Sequence, residues 1–206
     1  MILQKLFKKL KETKVAHQII PHKTVYTAVD AANTLKVKLE QVVKSLLIKI
    51  GKEFYLVNLP ANKNLDFKKL AKHFKVKSNE VSLPKEKVMT EKFKVKPGAM
   101  SAFGSVHKIP VVIDKSLLKI KEAIFSSGSF TDSIKMRVGD YLKLENPISG
   151  SIGVVRKIKS SSARKSGSAR KSGLARKSSS ARKSSAVRNK SHTFPRGIKP
   201  RRKKLH

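Results

Sequence analysis

The 206 residues contain no cysteine. That absence excludes a disulfide framework and thiolate chemistry, and it fits a cytoplasmic chain. The six histidines, at 17, 22, 73, 107, 192 and 206, lack the paired spacing of a zinc site, so no metal is expected. No apolar run approaches the roughly 20 residues of a membrane-spanning helix, and Met1-Ile2-Leu3-Gln4-Lys5 has neither the apolar core nor the cleavage site of a signal peptide. The sequence has no P-loop, no G-x-G-x-x-G and no G-x-S-x-G, so a nucleotide cradle and a serine nucleophile elbow are excluded and no cofactor is expected.

Acidic residues run out early. The last is Glu145, and residues 151–206 hold 19 of the 48 Lys and Arg with no Asp or Glu. The remainder carries 29 basic against 13 acidic residues, so both parts contribute to the net charge of +35. Charge of one sign on this scale favours a polyanionic partner, through steering and counterion release on phosphates, over an anionic membrane surface. Ala-Arg-Lys-Ser recurs from Ala163, Ala169, Ala175 and Ala181, a fixed spacing of six that matches no helical or strand period. Such a segment buries too little apolar surface to offset chain entropy and is expected to be disordered. Two segments follow: a folded domain over residues 1–155 and a basic tail over 156–206.

Within the first segment, Leu3, Leu6, Phe7 and Leu10 fall at helical spacing. A strand over residues 15–20 ends at Pro21-His22, and Thr27 is placed to cap a helix over residues 28–33. Residues 45–50 and 54–59 flank Gly51-Lys52 as a central hairpin. Leu65, Phe67, Leu70, Ala71 and Phe74 suit a helix begun by Asn64 or Asp66, and residues 84–93 a further short helix. Strands are expected at 109–113, 123–129 (running into a Gly/Ser turn) and 133–136, a helical turn at 115–120, and a closing helix at 138–144. Helices and strands mix without a βαβ period, which predicts an α+β domain with a mixed or antiparallel sheet.

One stretch reads as a backbone surface: Pro97-Gly98-Ala99-Met100-Ser101-Ala102-Phe103-Gly104. Its glycines permit positive φ or close approach, and its small side chains leave peptide N–H groups able to face a polar substrate. The same pattern is also that of a structural turn. The serines at 126–129 read as turn formers and hydrogen-bond donors rather than acylated nucleophiles.

Taken together, Pro21-His22 with Tyr26-Thr27-Ala28, Val43-Lys44-Ser45-Leu46-Leu47, residues 65–71, the loop at 97–104, residues 125–136 and Asp140-Tyr141-Leu142 resemble the YbaK family. This is the freestanding relative of the editing domain inserted in bacterial prolyl-tRNA synthetases. The resemblance covers about residues 3–150 and none of the tail. It implies a hydrolase that deacylates mischarged aminoacyl-tRNA in trans. It also implies a pocket lysine at Lys44, a catalytic loop carrying Gly98 and Ser101, and substrate contacts from His22, Thr27, Ala99, Met100, Phe103, Ser126, Gly128 and Ser129. An aminoacyl ester is labile, so orientation and oxyanion stabilisation are the main requirements, and loop N–H groups can supply the second. The tail pairs Arg164-Lys165, Arg170-Lys171, Arg176-Lys177 and Arg182-Lys183 would then bind tRNA phosphates, or ribosomal or other nucleic acid.

Two departures stand out. Where many relatives read G-x-x-x-P, this chain has Gly98 followed by Ala102. Where they often read F-N-A-G-x-H-T, it has Phe125-Ser126-Ser127-Gly128-Ser129-Phe130-Thr131. The alternative function is therefore a weakened form of the fold that binds nucleic acid.

Overall fold

The computed structural model describes residues 2–155. Residues 156–206, the whole of the expected basic tail, lie outside the described residues. In chain order the elements are α1 (Ile2–Glu12), β1 (His17–Pro21), α2 (Ala28–Leu35), β2 (Val43–Ile50), β3 (Glu53–Pro60), β4 (Lys63–Leu65), α3 (Phe67–Phe74) and β5 (Val81–Ser82). Then come α4 (Glu86–Lys92), β6 (Val111–Asp114), β7 (Glu122–Ser126), β8 (Asp132–Arg137), α5 (Val138–Glu145), β9 (Ile148–Gly150) and β10 (Gly153–Val155), so the domain is α+β.

A mixed five-stranded sheet runs β5-β2-β3-β6-β9, with β3–β6 and β6–β9 parallel. A three-stranded antiparallel sheet runs β1-β8-β7, and β4 pairs with β10. The five-stranded sheet is covered on both faces, which is why β2 reads as the near-continuous apolar run Leu46-Leu47-Ile48. Val43, Leu47, Leu56, Val111 and Ile113 pack with Leu6 and Leu10 of α1, Tyr141 of α5 and Phe103 and Phe125. On the other face Ile48, Ile50, Val57, Leu59 and Val112 pack with Leu70 and Ala71 of α3.

Local chemistry sets the helix starts. Thr27 accepts from the Asp30 N–H at 3.1 Å while the Asp30 carboxylate accepts from the Thr27 N–H at 3.1 Å, a capping box that fixes the first turn of α2. Asp66 accepts from the N–H groups of Lys68 and Lys69 and so starts α3. Leu65, placed in that helix by its apolar spacing, instead lies in β4 opposite Gly153. Ile109 closes the turn at Gly104–His107 through its N–H to the Gly104 carbonyl, and β6 begins two residues later. The helix at 138–145 does not close the domain, because β9 and β10 follow it. Those two strands and β5 span only two or three residues each, too short to show an alternating pattern.

Two ionisable groups, half-buried His107 and buried Asp114, should make the fold acid-sensitive. His107 ends its short turn beside Phe93, its Nε2 buried without a partner, and burial pulls the imidazole down to about 4. Asp114 is buried too, which opposes its charge, but hydrogen bonds from Ser116, Lys63 and the Gly153 N–H outweigh that and hold it at about 2. A histidine depressed from 6.5 binds its proton less tightly folded than unfolded. Stability is therefore complete above pH ~6.5 and falls as pH drops toward ~4; the Asp114 contribution is lost below that. His107→Leu should flatten the drop in urea midpoint between pH 7 and pH 5; an unchanged drop would remove His107 as its source.

Candidate active site

A cavity of about 410 Å³ lies where β2, the start of α2, the residues before and within α4, the 97–104 loop and the β7–β8 turn meet. That size is within the range of small-molecule sites. Lys44, Ser45, Leu46 and Leu47 form its β2 wall; Tyr26, Thr27 and Ala28 bring the capped end of α2. Leu83, Pro84, Glu86 and Met89 come from the α4 side, Pro97, Gly98 and Met100 from the loop, and Ser126, Ser129 and Ser133 from the β7–β8 region. Glu86 is the one carboxylate and Lys44 the one ammonium among the lining residues.

The two loop glycines do different work. Gly98 adopts φ +86, and a Cβ there would lie 3.1 Å from the Tyr26 carbonyl oxygen and 3.5 Å from the Phe130 ring. At Gly104 a Cβ would come within 2.5 Å of the Ile109 carbonyl oxygen and of Val111, so only glycine fits between the loop and β6. The loop is anchored from behind. Asn58 Nδ2 and the Tyr141 hydroxyl both donate to the Ala102 carbonyl, at 2.9 and 2.6 Å, and Asn58 Nδ2 also donates to the Tyr141 oxygen at 2.7 Å. From its other side the Ala102 N–H donates to the Ser126 carbonyl at 2.9 Å.

Of the sequence-derived residues, Lys44, Thr27, Gly98, Met100, Ser126 and Ser129 line the cavity. Lys44 Nζ donates to the Lys63 carbonyl at 2.8 Å, at the β4 side. His22 stands one residue back: Nδ1 donates to the Lys23 carbonyl at 2.8 Å, and Nε2 pairs with the Ser133 hydroxyl at 2.9 Å. Ala99, Ser101, Phe103 and Gly128 lie behind the lining. Ser101 is fully buried and accepts from the Phe103 N–H at 3.3 Å, a staple within the loop rather than a group facing the cavity. The serine turn is self-bonded, with Ser127 Oγ donating to the Asp132 carbonyl and Ser129 Oγ to the Asp132 carboxylate. The tail pairs from Arg164-Lys165 to Arg182-Lys183 lie outside the described residues.

The sequence reading passed over Ser45, Glu86, Asn58 and the packing role of Phe130. A polar residue inside each of two apolar strands was the available signal for Ser45 and Asn58. Phe130 packs on Tyr26 with ring centroids 5.2 Å apart, closing the glycine turn beneath it. Ser45 Oγ and Asn58 Oδ1 are buried without a hydrogen-bond partner, and the two residues face each other across β2 and β3.

A second concavity, about 450 Å³, gathers Lys63, Lys69, Lys115 and Lys119 with Ser116 and Ser151 around Asp114. Lys63 Nζ is fixed by Asp114 at 2.9 Å, and the Lys63 carbonyl is the group that holds Lys44. The two concavities are thus joined through one residue.

The family model for the aminoacyl-tRNA editing domain matches residues 22–144. A proline–tRNA ligase of Thermosipho melanesiensis is 26% identical over 113 residues, 55% of this chain but 20% of the ligase, so the chain spans about a fifth of that relative's length. Among solved structures, a proposed trans-editing enzyme for prolyl tRNA synthetase has a TM-score of 0.66 at 17% identity, covering 74% of this chain and 97% of that one. A protein described only as hypothetical has a TM-score of 0.65 at 18% identity, covering 73% and 99%. At these identities the structures share the fold.

The anchoring network is open to measurement. Asn58→Ala should lower unfolding stability by about 2 to 3 kcal/mol, because it leaves a fully buried carbonyl and phenol with fewer partners, and Ser101→Ala by about 1 kcal/mol. Urea unfolding checks both; equal small losses would show that the loop is not held through Asn58.

Proposed function

This chain belongs to the aminoacyl-tRNA editing domain family, and from that premise we propose that it is a trans-editing deacylase that hydrolyses the ester of mischarged aminoacyl-tRNA. The observation that carries the reading is the cavity wall made by a positive-φ glycine loop facing the β2 strand. Among the loop peptides, the N–H groups of Ala99, Ala102 and Phe103 are taken up internally. Gly98 and Met100, both lining the cavity, supply the donors for the developing oxyanion.

The lining hydroxyls of Thr27, Ser126, Ser129 and Ser133 already serve the scaffold, and His22 is engaged with Ser133. Ser45 Oγ, buried and without a partner, has no base within hydrogen-bond reach to activate it, so water is the nucleophile. It adds to the acyl carbon, the C–O bond to the ribose breaks, and the leaving ribose oxygen takes a proton. The ribose hydroxyl next to the ester assists the water, and the one lining carboxylate, Glu86, lies exposed at the start of α4. Lys44, held beside the basic concavity, acts as a fixed charge for the phosphate of the terminal nucleotide. Lys63, Lys69, Lys115 and Lys119 carry the neighbouring phosphates. The basic tail adds contacts that raise affinity without reading sequence.

Purified protein assayed against tRNAs charged with alanine, serine, threonine, cysteine and proline tests the reading; no release above the uncatalysed rate from any of them would leave a nucleic-acid-binding fold without catalysis. Lys44→Ala should lower kcat/KM on the best substrate at least about tenfold, some 1.4 kcal/mol of transition-state stabilisation. Gly98→Val should cost more activity than Ser101→Ala, since only the first obstructs the loop face. Wild-type rates in Lys44→Ala and Gly98→Val would refute these assignments.

Deleting residues 157–206 should leave a folded domain. The slope of log K against log salt for tRNA should become shallower by several units, at roughly 0.7 to 0.9 per lost phosphate contact, while discrimination between amino acids stays the same. An identical affinity and slope would show that the tail contacts no RNA.

A further inference from the structure

Along the cavity, β2 is paired on one side only. The Val42 carbonyl accepts from the Ala61 N–H at 2.8 Å, and the Gly51 N–H turns the other way, to the Glu80 carbonyl at 2.9 Å. The alternation of an antiparallel ladder therefore aims the peptide groups of Lys44, Leu46 and Ile48 at β3, and those of Ser45, Leu47 and Lys49 away from it. Lys49 meets Ser82 of β5, and upstream Val42 bridges to Ile124 of β7. In the gap between these two pairings, no strand is paired with Ser45 or Leu47 on that side, and both residues line the cavity. The Ser45 hydroxyl beside them is buried and equally unpartnered.

We propose that this gap reads the aminoacyl group as a single residue of an added strand. The inference rests on the editing reading and names how that same site recognises its substrate. In an α-aminoacyl ester the ammonium and the ester carbonyl are spaced like the N–H and C=O of one peptide residue. The ammonium donates to the Ser45 carbonyl and the ester carbonyl accepts from the Ser45 N–H, the exchange made by a hydrogen-bonded pair in an antiparallel sheet. Ser45 Oγ takes a second ammonium hydrogen, and Glu86 on the cavity wall offsets its charge. The ester oxygen has two lone pairs, so the glycine loop engages the second. A backbone reader recognises what all α-amino acids share and leaves the side chain to the apolar wall of Leu47, Met89 and Met100. The site should consequently require a free α-ammonium.

The test compares full-length protein on an aminoacyl-tRNA that it hydrolyses and on the same tRNA with the amino group acetylated. Acetylation should lower kcat/KM at least about tenfold. Ser45→Pro removes an N–H that lies outside the β2–β3 ladder, together with the hydroxyl that Ser45→Ala removes alone, and should cost about tenfold on the free-amine substrate. Ser45→Ala, which keeps the N–H, should cost only a few-fold. Equal turnover of free and acetylated substrates by wild type, or undiminished turnover in a Ser45→Pro protein with wild-type circular dichroism, overturns the proposal. Should Ser45→Pro not fold, the acetylation comparison decides alone. Should wild type hydrolyse none of the aminoacyl-tRNAs, the deacylase reading fails on its own, and binding of a 3′-amide analogue of aminoacyl-adenosine decides this one. Preference for its free-amine over its acetylated form supports the strand-edge reader, and equal affinity ends it.

Discussion

The Ala102 carbonyl is the point on which the site depends. Two donors from different elements, Asn58 of β3 and Tyr141 of α5, converge on one buried oxygen, and all three residues have at most 1% of their surface exposed. A buried amide or phenol deprived of a partner costs about 1 to 3 kcal/mol, so the arrangement is stable only as a complete set. Its surroundings are rigid as well. The Tyr141 ring stacks on Phe125 with centroids 4.3 Å apart and meets Phe103 edge-on at 5.5 Å. Burial and Glu145 push the Tyr141 phenol well above its ordinary range, which keeps it protonated and able to donate. The glycine at position 98 therefore starts a loop whose far end is fixed, and conformational freedom there is spent on shaping one cavity wall.

Charge is organised by the same economy of fixed points. Most lysines here are exposed and interchangeable, but Lys63 is not, because Asp114 holds its ammonium while its carbonyl holds Lys44. Asp114 also accepts from the N–H groups of Ile152 and Gly153, so the carboxylate that orders the basic concavity also ties down β10. Neutralising Asp114 would loosen a strand pairing and a lysine together. That coupling accounts for a buried acid in a domain otherwise rich in positive charge.

Much of this was legible in local sequence. Thr27 followed by Asp30, Asp66 before an apolar i, i+3, i+4, i+7 stripe, and Gly51-Lys52 between apolar runs each carry their signal within a few residues, and each structure formed where its signal lay. Gly98 and Gly104 were legible as special positions but not as different ones, because positive φ and a tight approach to Ile109 both demand the same residue. What stayed hidden was non-local. The β4–β10 pairing joins Lys63 to Val155, and Asn58 meets Tyr141 at a separation of 83 residues. Ser101 looked like a site residue because small polar residues in a glycine loop often face a ligand; the Phe103 N–H and the packed core turn it inward instead. Ser45 was hidden for another reason, since an open strand edge is a property of where neighbouring strands stop.

The residue at 102 shows how this chain departs from the pattern it resembles without losing the loop. Where relatives of that pattern carry proline, stiffness comes from a fixed φ and is confined to one residue. Ala102 has no such restraint, but it keeps an N–H, and that N–H donates to the Ser126 carbonyl at 2.9 Å. Proline could not make this bond. Together with the two bonds to its carbonyl, Ala102 is held on both sides of its peptide, to β7 through its N–H and to β3 and α5 through its oxygen. The bond to Ser126 also joins the loop to the serine turn, where Phe130 stands in place of an imidazole and packs against Tyr26. Loop and turn are thus tied to each other. The cost of replacing either rigidifying residue is borne by hydrogen bonds between elements rather than by covalent restraint within one, which makes the cavity's shape depend on the fold as a whole.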